Sequence, residues 1–351
     1  MTIKINNRLI GEAYPVYIVA ELSANHLQDY HIAVETLKSI KESGADAVKL
    51  QTYTPDTITI DCNNEYFQLK QGTIWDGMTL YELYKNAYTP WEWQPALKKY
   101  ADEIGITLFS SPFDRTAVDF LEKMNVPAYK IASFELTDIP LIEYVSSKGR
   151  PVFISTGIAT LPELEEALNA CKRMGNNQVI LLKCTSEYPA AFEEMNLNTI
   201  PDMINRFGLV CGISDHSHGS VVPVASVALG AKVVEKHFIL DRSMGGPDAA
   251  FSMEPLEFAQ MVQMIRDTEK ALGNVDYDLS DKATKNRVFC RSLFAVQNIN
   301  KGEAITEKNV RSIRPGYGLP PVELKNILGL KASEYIKRGD PISYNILEKG
   351  K

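Results

Sequence analysis

Little in this chain points to an oxidising compartment, a membrane or a nucleic acid. Its five cysteines, Cys62, Cys171, Cys184, Cys211 and Cys290, are an odd number without a CxxC pair. That argues against a disulfide framework and suits a reducing cytoplasm. No apolar run reaches the roughly 18 residues that a membrane-spanning helix needs. The opening residues, 1–7, lack the apolar core and cleavage site of a signal peptide, so a soluble cytoplasmic protein is expected. Net charge is −7 with no concentrated basic stripe, which speaks against nucleic acid as the main partner. An anionic small molecule can still bind where a few lysines converge. Glycine is missing from one informative place, the turn after the first buried strand. That turn reads Ala20-Glu21-Leu22-Ser23-Ala24-Asn25-His26, not the glycine-rich phosphate turn of a doubly wound sheet.

The pattern of what is present is regular. Residues 2–11 alternate around Asn6-Asn7 and predict a small hairpin, because asparagine tolerates the positive φ of such turns. Eight short apolar runs follow at 16–20, 47–50, 106–109, 128–131, 152–154, 179–182, 209–213 and 233–238. They are rich in Val and Ile with little alternation, as in strands buried on both faces. Helical patterns fill the gaps at 32–43, 92–104, 116–124, 139–147, 161–174, 197–207, 221–229 and 255–272, several stopping just before a glycine. The gap 52–90 is long enough to hold an elaborated loop. Eight strand–helix units over roughly 270 residues match an α/β protein of the (β/α)8 TIM-barrel type better than an open sheet. Beyond Gly273 the composition turns polar. Residues 274–289 read as a linker, and 290–351 as a small domain with short strands at 293–296, 302–305 and 339–342.

In such a barrel the chemistry sits at the C-terminal strand ends, and every strand here delivers polar groups there. In order they are Glu21, Ser23, Asn25 and His26; Lys49 and Gln51; Ser110 and Ser111; Lys130, Ser133 and Glu135; Ser155 and Thr156; Lys183, Thr185, Ser186 and Tyr188; Ser214, Asp215 and His216; Glu235, Lys236 and His237. Lys49 and Lys130, with the hydroxyls of Ser111, Ser133, Ser155 and Ser214, can neutralise and hydrogen-bond a phosphate and a carboxylate. Glu21 can orient a hydroxyl or move a proton. His216 and His237 close neighbouring parallel strands, close enough to share one divalent metal. Taken singly, a strand-end lysine is usually ion-paired, a Ser-Thr-Gly is usually a turn, and a strand-end histidine often caps a carbonyl. His31 and His218 keep that plain explanation. Convergence on one end of one barrel is what sets the others apart.

These residues fall in motifs that resemble the sialic acid (nonulosonic acid) synthase family. They are Lys49-Leu50-Gln51-Thr52, Ser110-Ser111-Pro112-Phe113, Lys130-Ile131-Ala132-Ser133, Ser155-Thr156-Gly157, Cys184-Thr185-Ser186-Glu187-Tyr188-Pro189, Ser214-Asp215-His216, Glu235-Lys236-His237-Phe238, Gly246-Pro247-Asp248 and Arg314-Pro315-Gly316. The resemblance implies a synthase barrel over 1–273 and an antifreeze-like (SAF) domain over 290–351. It implies condensation of phosphoenolpyruvate with an N-acetylated amino sugar. Phosphoenolpyruvate falls to Lys49, Lys130, Ser111, Ser133, Ser155, Ser186 and Ser214. The sugar falls to Gln51, Phe113, Asp248 and Arg314, and the reacting centre to Glu21, Glu235 and Tyr188. His216 and His237 are implied to hold Mn²⁺, with Mg²⁺ or Co²⁺ as alternatives. Arg314 is implied to serve the barrel of the partner subunit in a domain-swapped homodimer. Ser186 departs from the asparagine common in the neuraminate enzymes. The run from Glu21 to His26, with Tyr81-Glu82-Leu83-Tyr84, is most similar to the pseudaminic acid branch. That branch implies 2,4-diacetamido-2,4,6-trideoxy-L-altrose as the sugar, with neuraminate or legionaminate synthesis as the alternative. A lysine Schiff-base aldolase on Lys130 or Lys183, and a carbohydrate-binding protein without catalysis, are more distant alternatives.

Overall fold

The structure is a computed structural model that describes residues 1–348 apart from 71, 73 and 74. Part of the long loop expected at 52–90, and the last three residues of the tail, lie outside the described residues. Two units are resolved, Met1–Gly273 and Asn274–Lys351. Among the described residues no helix is long and apolar enough to cross a membrane.

The first unit begins with an antiparallel hairpin, β1 (Thr2–Ile5) and β2 (Arg8–Gly11). Asn6 takes the left-handed conformation, φ 50°, at its turn. Eight parallel strands follow: β3 (Tyr17–Glu21), β4 (Ala47–Thr52), β5 (Thr107–Pro112), β6 (Tyr129–Ile131), β7 (Val152–Ser155), β8 (Val179–Cys184), β9 (Val210–Asp215) and β10 (Val233–His237). They form a closed barrel in chain order, sealed where β10 pairs with β3 from Val233↔Tyr17 to His237↔Glu21. This is the (β/α)8 architecture.

Two buried layers follow from the period of two along a strand. Tyr17, Val19, Ala47, Phe109, Ala128, Phe153, Ile180, Leu182, Val210 and Val233 form one cluster, which Ile3, Ile5 and Ile10 of the hairpin join. This is the barrel interior, with the hairpin against its N-terminal end. The alternate positions, among them Ile18, Ala20, Val48, Leu50, Ile213 and Val234, pack outward against apolar helix residues such as Leu37, Leu97, Phe258 and Met261. Helix starts are fixed locally. Asp29 and Asp114 accept hydrogen bonds from backbone N–H groups of the first turns that follow them. Gly208, φ 63°, ends the helix Thr199–Phe207.

In the second unit, β11 (Ser292–Ala295) pairs antiparallel with β12 (Val310–Ile313). Leu293, Ile299, Ile305, Val310, Ile327 and Ile342 are part of its own core. Residues 274–289 contain a short helix, Asp281–Asn286. One expectation needs correction. The runs 302–305 and 339–342 are not strands, because Gly302 (φ 81°) and Gly339 (φ 97°) turn the chain there. They contribute isolated bridges, Ala304↔Lys331 and Phe294↔Pro341.

Gly212 faces the barrel interior on β9, and an added Cβ would lie 2.3 Å from the Val233 carbonyl oxygen and 2.7 Å from its Cβ. The backbone oxygen cannot rotate away. Gly212→Ala is therefore expected to lower the unfolding free energy by about 3 kcal/mol, the upper end for overpacking, as measured by urea denaturation.

Candidate active site

The interior layer changes chemistry one step above the apolar cluster. Continuing the inward alternation gives Glu21 on β3, Lys49 and Gln51 on β4, Ser111 on β5, Lys130 on β6 and Ser155 on β7. It then gives Cys184 and Ser186 at β8, Ser214 and His216 at β9, and Glu235 and His237 on β10. Lys183, Asp215 and Lys236 have the opposite parity. The Lys183 ammonium donates to the Cys184 carbonyl at 2.7 Å, so one of the two lysines named for a Schiff base turns away from the mouth.

Charges at the β3–β4–β6–β10 side interlock. The Lys49 ammonium lies 2.7 Å from Glu21 Oε2 and 3.6 Å from Glu235 Oε1. Lys130 Nζ lies 3.1 Å from Glu235 Oε1, which also accepts from the Ser214 hydroxyl at 2.8 Å. All four charged groups are at least nine-tenths buried. Burial works against the Glu235 anion, but Lys130 and Lys49 outweigh it and hold the carboxyl down at about 2. For Lys49, burial opposes the charge, yet Glu21 and Glu235 raise its pKa. Burial dominates at Glu21, whose carboxyl is raised. Gln51 Nε2 donates to Glu21 Oε1 at 3.1 Å and to the Ser23 hydroxyl at 2.9 Å.

Hydroxyls line the mouth beside these charges. Lys49 Nζ donates to Ser111 Oγ at 3.4 Å, and the Gly157 N–H donates to Ser133 Oγ at 3.2 Å. Ser155 Oγ is buried without a protein partner, which marks it as free for a ligand. Ser186 Oγ stands 3.7 Å from Cys184 Sγ. Gly157 is a close-approach position: an added Cβ would lie 2.0 Å from Ser186 Oγ and 2.7 Å from Ser133 Oγ.

The two histidine rings are 5.3 Å apart. His216 Nδ1 lies 3.0 Å from the Thr185 carbonyl oxygen; with the proton on Nδ1 this is a donated hydrogen bond that leaves Nε2 free. His237 Nδ1 is buried without a hydrogen bond, 3.8 Å from Asp248 Oδ2. Burial and the neighbouring His216 push its pKa well below the ordinary value, so the ring is neutral. Tyr188 covers His216 at 4.4 Å between ring centroids and packs on Phe251 at 5.3 Å. Trp75 of the long loop reaches Tyr188 at 5.7 Å. Phe113 packs on Tyr53 at 5.1 Å. Arg314 belongs to the second unit, exposed and directly before a cis peptide bond to Pro315. His31 and His218 are exposed.

Three residues emerge to which the sequence assigned no role, although Glu135 stands among its strand-end polar groups. Glu135, in the turn Ser133–Glu135 after β6, has a buried Oε2 without a partner, and burial pushes its carboxyl up to about 7. Cys184 lies 3.8 Å from His216 Nδ1; the alternation of β8 was its available signal. Gly157 carries no side chain to draw notice. A separate cavity of about 430 Å³, lined in part by His218, Arg242, Phe251 and Glu257, lies beside the mouth. Its arginine is already bonded to Glu257 at 2.8 Å, so the chemistry is assigned to the inward cluster.

A buried pair of lysines, a set of hydroxyls and two buried imidazoles at the C-terminal end of a (β/α)8 barrel define an enzyme that handles an anionic substrate. Residues 36–277 match the NeuB family and residues 291–348 match the SAF domain. The chain belongs to the NeuB family. It is 46% identical over 336 residues to pseudaminic acid synthase of Helicobacter pylori, covering 95% of this chain and 98% of that protein. It is 35% identical to N,N'-diacetyllegionaminic acid synthase of Legionella pneumophila, over 96% of each chain. Among solved structures, an N-acetylneuraminic acid (sialic acid) synthetase of Leptospira borgpetersenii in complex with citrate superposes with a TM-score of 0.73. That match is at 29% identity and covers 82% of this chain and 95% of that one.

If the hydroxyl side is an anion cradle, Gly157→Ala should weaken it without unfolding the barrel. The expected outcome is the loss of about one hydrogen bond to the anion, roughly tenfold in affinity for phosphoenolpyruvate. Calorimetric titration checks the affinity, and an unchanged melting temperature checks the fold.

Proposed function

We propose that the chain is a pseudaminic acid synthase. It joins phosphoenolpyruvate to 2,4-diacetamido-2,4,6-trideoxy-L-altrose and releases phosphate by C–O cleavage. The observation that carries the reaction class is the inward cluster itself, two lysines and a set of hydroxyls with two buried histidines in one mouth. The choice of sugar rests on the 46% identity to the Helicobacter enzyme, against 35% for the legionaminate relative.

Lys49, Lys130, Ser111, Ser133, Ser155, Ser186 and Ser214 fall on the side suited to the phosphate and carboxylate. Positioned charge and hydroxyl dipoles there stabilise anionic oxygens without reorganising. On the other side, His216 and His237 suit a divalent ion such as Mn²⁺, because both rings are buried and His237 Nδ1 has no protein partner. Among the described residues no group of three or more His, Cys, Asp or Glu has metal-holding geometry. The chain would therefore supply two imidazoles and leave other positions open, as catalytic sites do. Such an ion supplies Lewis acidity towards a carbonyl oxygen. Gln51, Phe113 and Asp248 would meet the sugar, and Tyr188 would pack over the reacting centre. Arg314 would complete the barrel site of the partner subunit in a homodimer, as the family resemblance implies.

The bond changes balance with these groups. C3 of phosphoenolpyruvate bonds to the aldehyde carbon, whose oxygen gains a proton. Water adds at C2 and loses one proton, which balances the proton gained by the aldehyde oxygen. The tetrahedral carbon becomes a ketone as its C–O bond to phosphate breaks, and the C2 hydroxyl proton leaves with the phosphate. Glu235, held ionised between two lysines, serves as a fixed anion. Glu135, with its pKa near 7, is the carboxylate suited to accept the proton of the attacking water.

Two measurements follow. Phosphate release with the altrose, mannosamine-type and legionaminate-type sugars should be fastest with the 6-deoxy-altrose; a faster mannosamine reaction would move the chain to the neuraminate branch. As a base, Glu135 works in its ionised form, so kcat/KM should rise with pH through about 7. Glu135→Gln should remove that limb and lower kcat by about 10²–10⁴-fold, with phosphoenolpyruvate binding unchanged.

A further inference from the structure

Lys236 and Asp215 stand in the outward layer of the barrel, where their neighbours Ile213 and Val234 are part of an apolar cluster. They are direct partners across β9 and β10, and each is 1% exposed. The Lys236 ammonium lies 2.6 Å from Asp215 Oδ2. A buried ion pair contributes little to stability, because the cost of removing two charges from water matches or exceeds their attraction. Two apolar residues of the same volume would fill the space at least as well. The pair therefore needs another explanation.

Its remaining hydrogen bonds give one. Asp215 Oδ1 accepts from the Ser217 N–H at 2.9 Å, and Lys236 Nζ donates to the Ser217 carbonyl oxygen. Ser217 directly follows His216, and Lys236 directly precedes His237. The pair thus ties the backbone on the far side of one histidine to the residue beside the other. His216 is held independently from its ring, by Nδ1 against the Thr185 carbonyl at 3.0 Å. The ladder between β9 and β10 ends at Lys236↔Asp215, whereas β10 stays paired with β3 as far as His237↔Glu21. The chain beyond, where His216 sits, has left the ladder, and the ion pair takes over there.

We propose that Lys236 and Asp215 are a positioning pair that sets the spacing of His216 and His237 from outside the barrel, and so sets the site's affinity for a divalent ion. This rests on the assignment of the two histidines to a metal. Neither Lys236 nor Asp215 touches the ion or the substrates.

The test replaces both charges together, Asp215→Leu with Lys236→Met, in the full chain freed of metal. Expected is a folded variant with a lowered melting temperature, because the buried Ser217 N–H and carbonyl lose these partners, and a Mn²⁺ dissociation constant raised about 10–100-fold, the range for residues that orient ligands without binding the ion. Phosphoenolpyruvate binding measured without metal should stay within a few-fold. Should the double variant fail to fold, Asp215→Asn carries the same test, because it keeps the acceptor for the Ser217 N–H and removes the charge. Native Mn²⁺ affinity in the folded variant overturns the proposal. So does a parallel loss of metal binding, phosphoenolpyruvate binding and thermal stability, which marks a merely structural pair. His237→Ala serves as the control: if it binds Mn²⁺ as the parent does, the metal assignment itself fails, whatever the double variant shows.

Discussion

Closure of the barrel is the constraint on which the larger unit depends. An open sheet would leave β3 and β10 at separate edges, whereas here they pair from Val233↔Tyr17 to His237↔Glu21. Once the ring is shut, side-chain alternation becomes a stack of layers: each inward position meets inward positions from the other strands at the same height. Apolar residues from Tyr17 to Val233 fill the lower layers. One step higher, the same parity links Glu21, Lys49, Glu235 and Lys130 in a chain of salt bridges, though they are spread over more than 200 positions of sequence. A one-residue slip in any strand would turn its polar group into the helix layer. Gly212 shows how tight the stack is, since the inward space beside Val233 does not admit a methyl group.

Much of this was open to inspection in the sequence. Buried parallel strands carry their own signal, short runs of Val and Ile, and eight of them separated by helical patterns leave few architectures. The strand ends then followed from the fold, so Lys49, Lys130, Ser214, His216, Glu235 and His237 could be named from position. What could not be seen were features made by distant parts of the chain. Glu135 differs from other turn carboxylates only because burial leaves one oxygen without a partner. Gly157 matters because Ser186 and Ser133, from two other strand ends, close over it. Lys236 looked like one more strand-end cation until its parity put it outside the barrel with Asp215. In the second unit, β12 reads Val-Arg-Ser-Ile, too short and polar to stand out, and it is recognisable as a strand only by its pairing with β11.

The glutamates of the mouth show how one environment yields different tasks. Glu235 sits between two ammonium groups and a hydroxyl, all of which favour its anion, and its carboxyl is held at about 2. It balances Lys49 and Lys130, which would otherwise repel one another in a space from which water is largely removed. Removing either lysine would leave that carboxylate buried with weaker compensation, so loss of a single partner should do more harm than replacing the whole set. Glu135 lies a short turn beyond Lys130 but has no ammonium of its own within bonding distance, so desolvation decides and its carboxyl rises to about 7. A residue fixed as an anion cannot exchange a proton near neutrality, whereas one that titrates there can do so in either direction. Which of the two carboxylates titrates near neutrality is therefore set by which of them the lysines reach. In the reaction we propose, those same lysines meet the phosphate and carboxylate, so an incoming anion would weaken their hold on Glu235 and Glu21 and couple its binding to the protonation of the mouth.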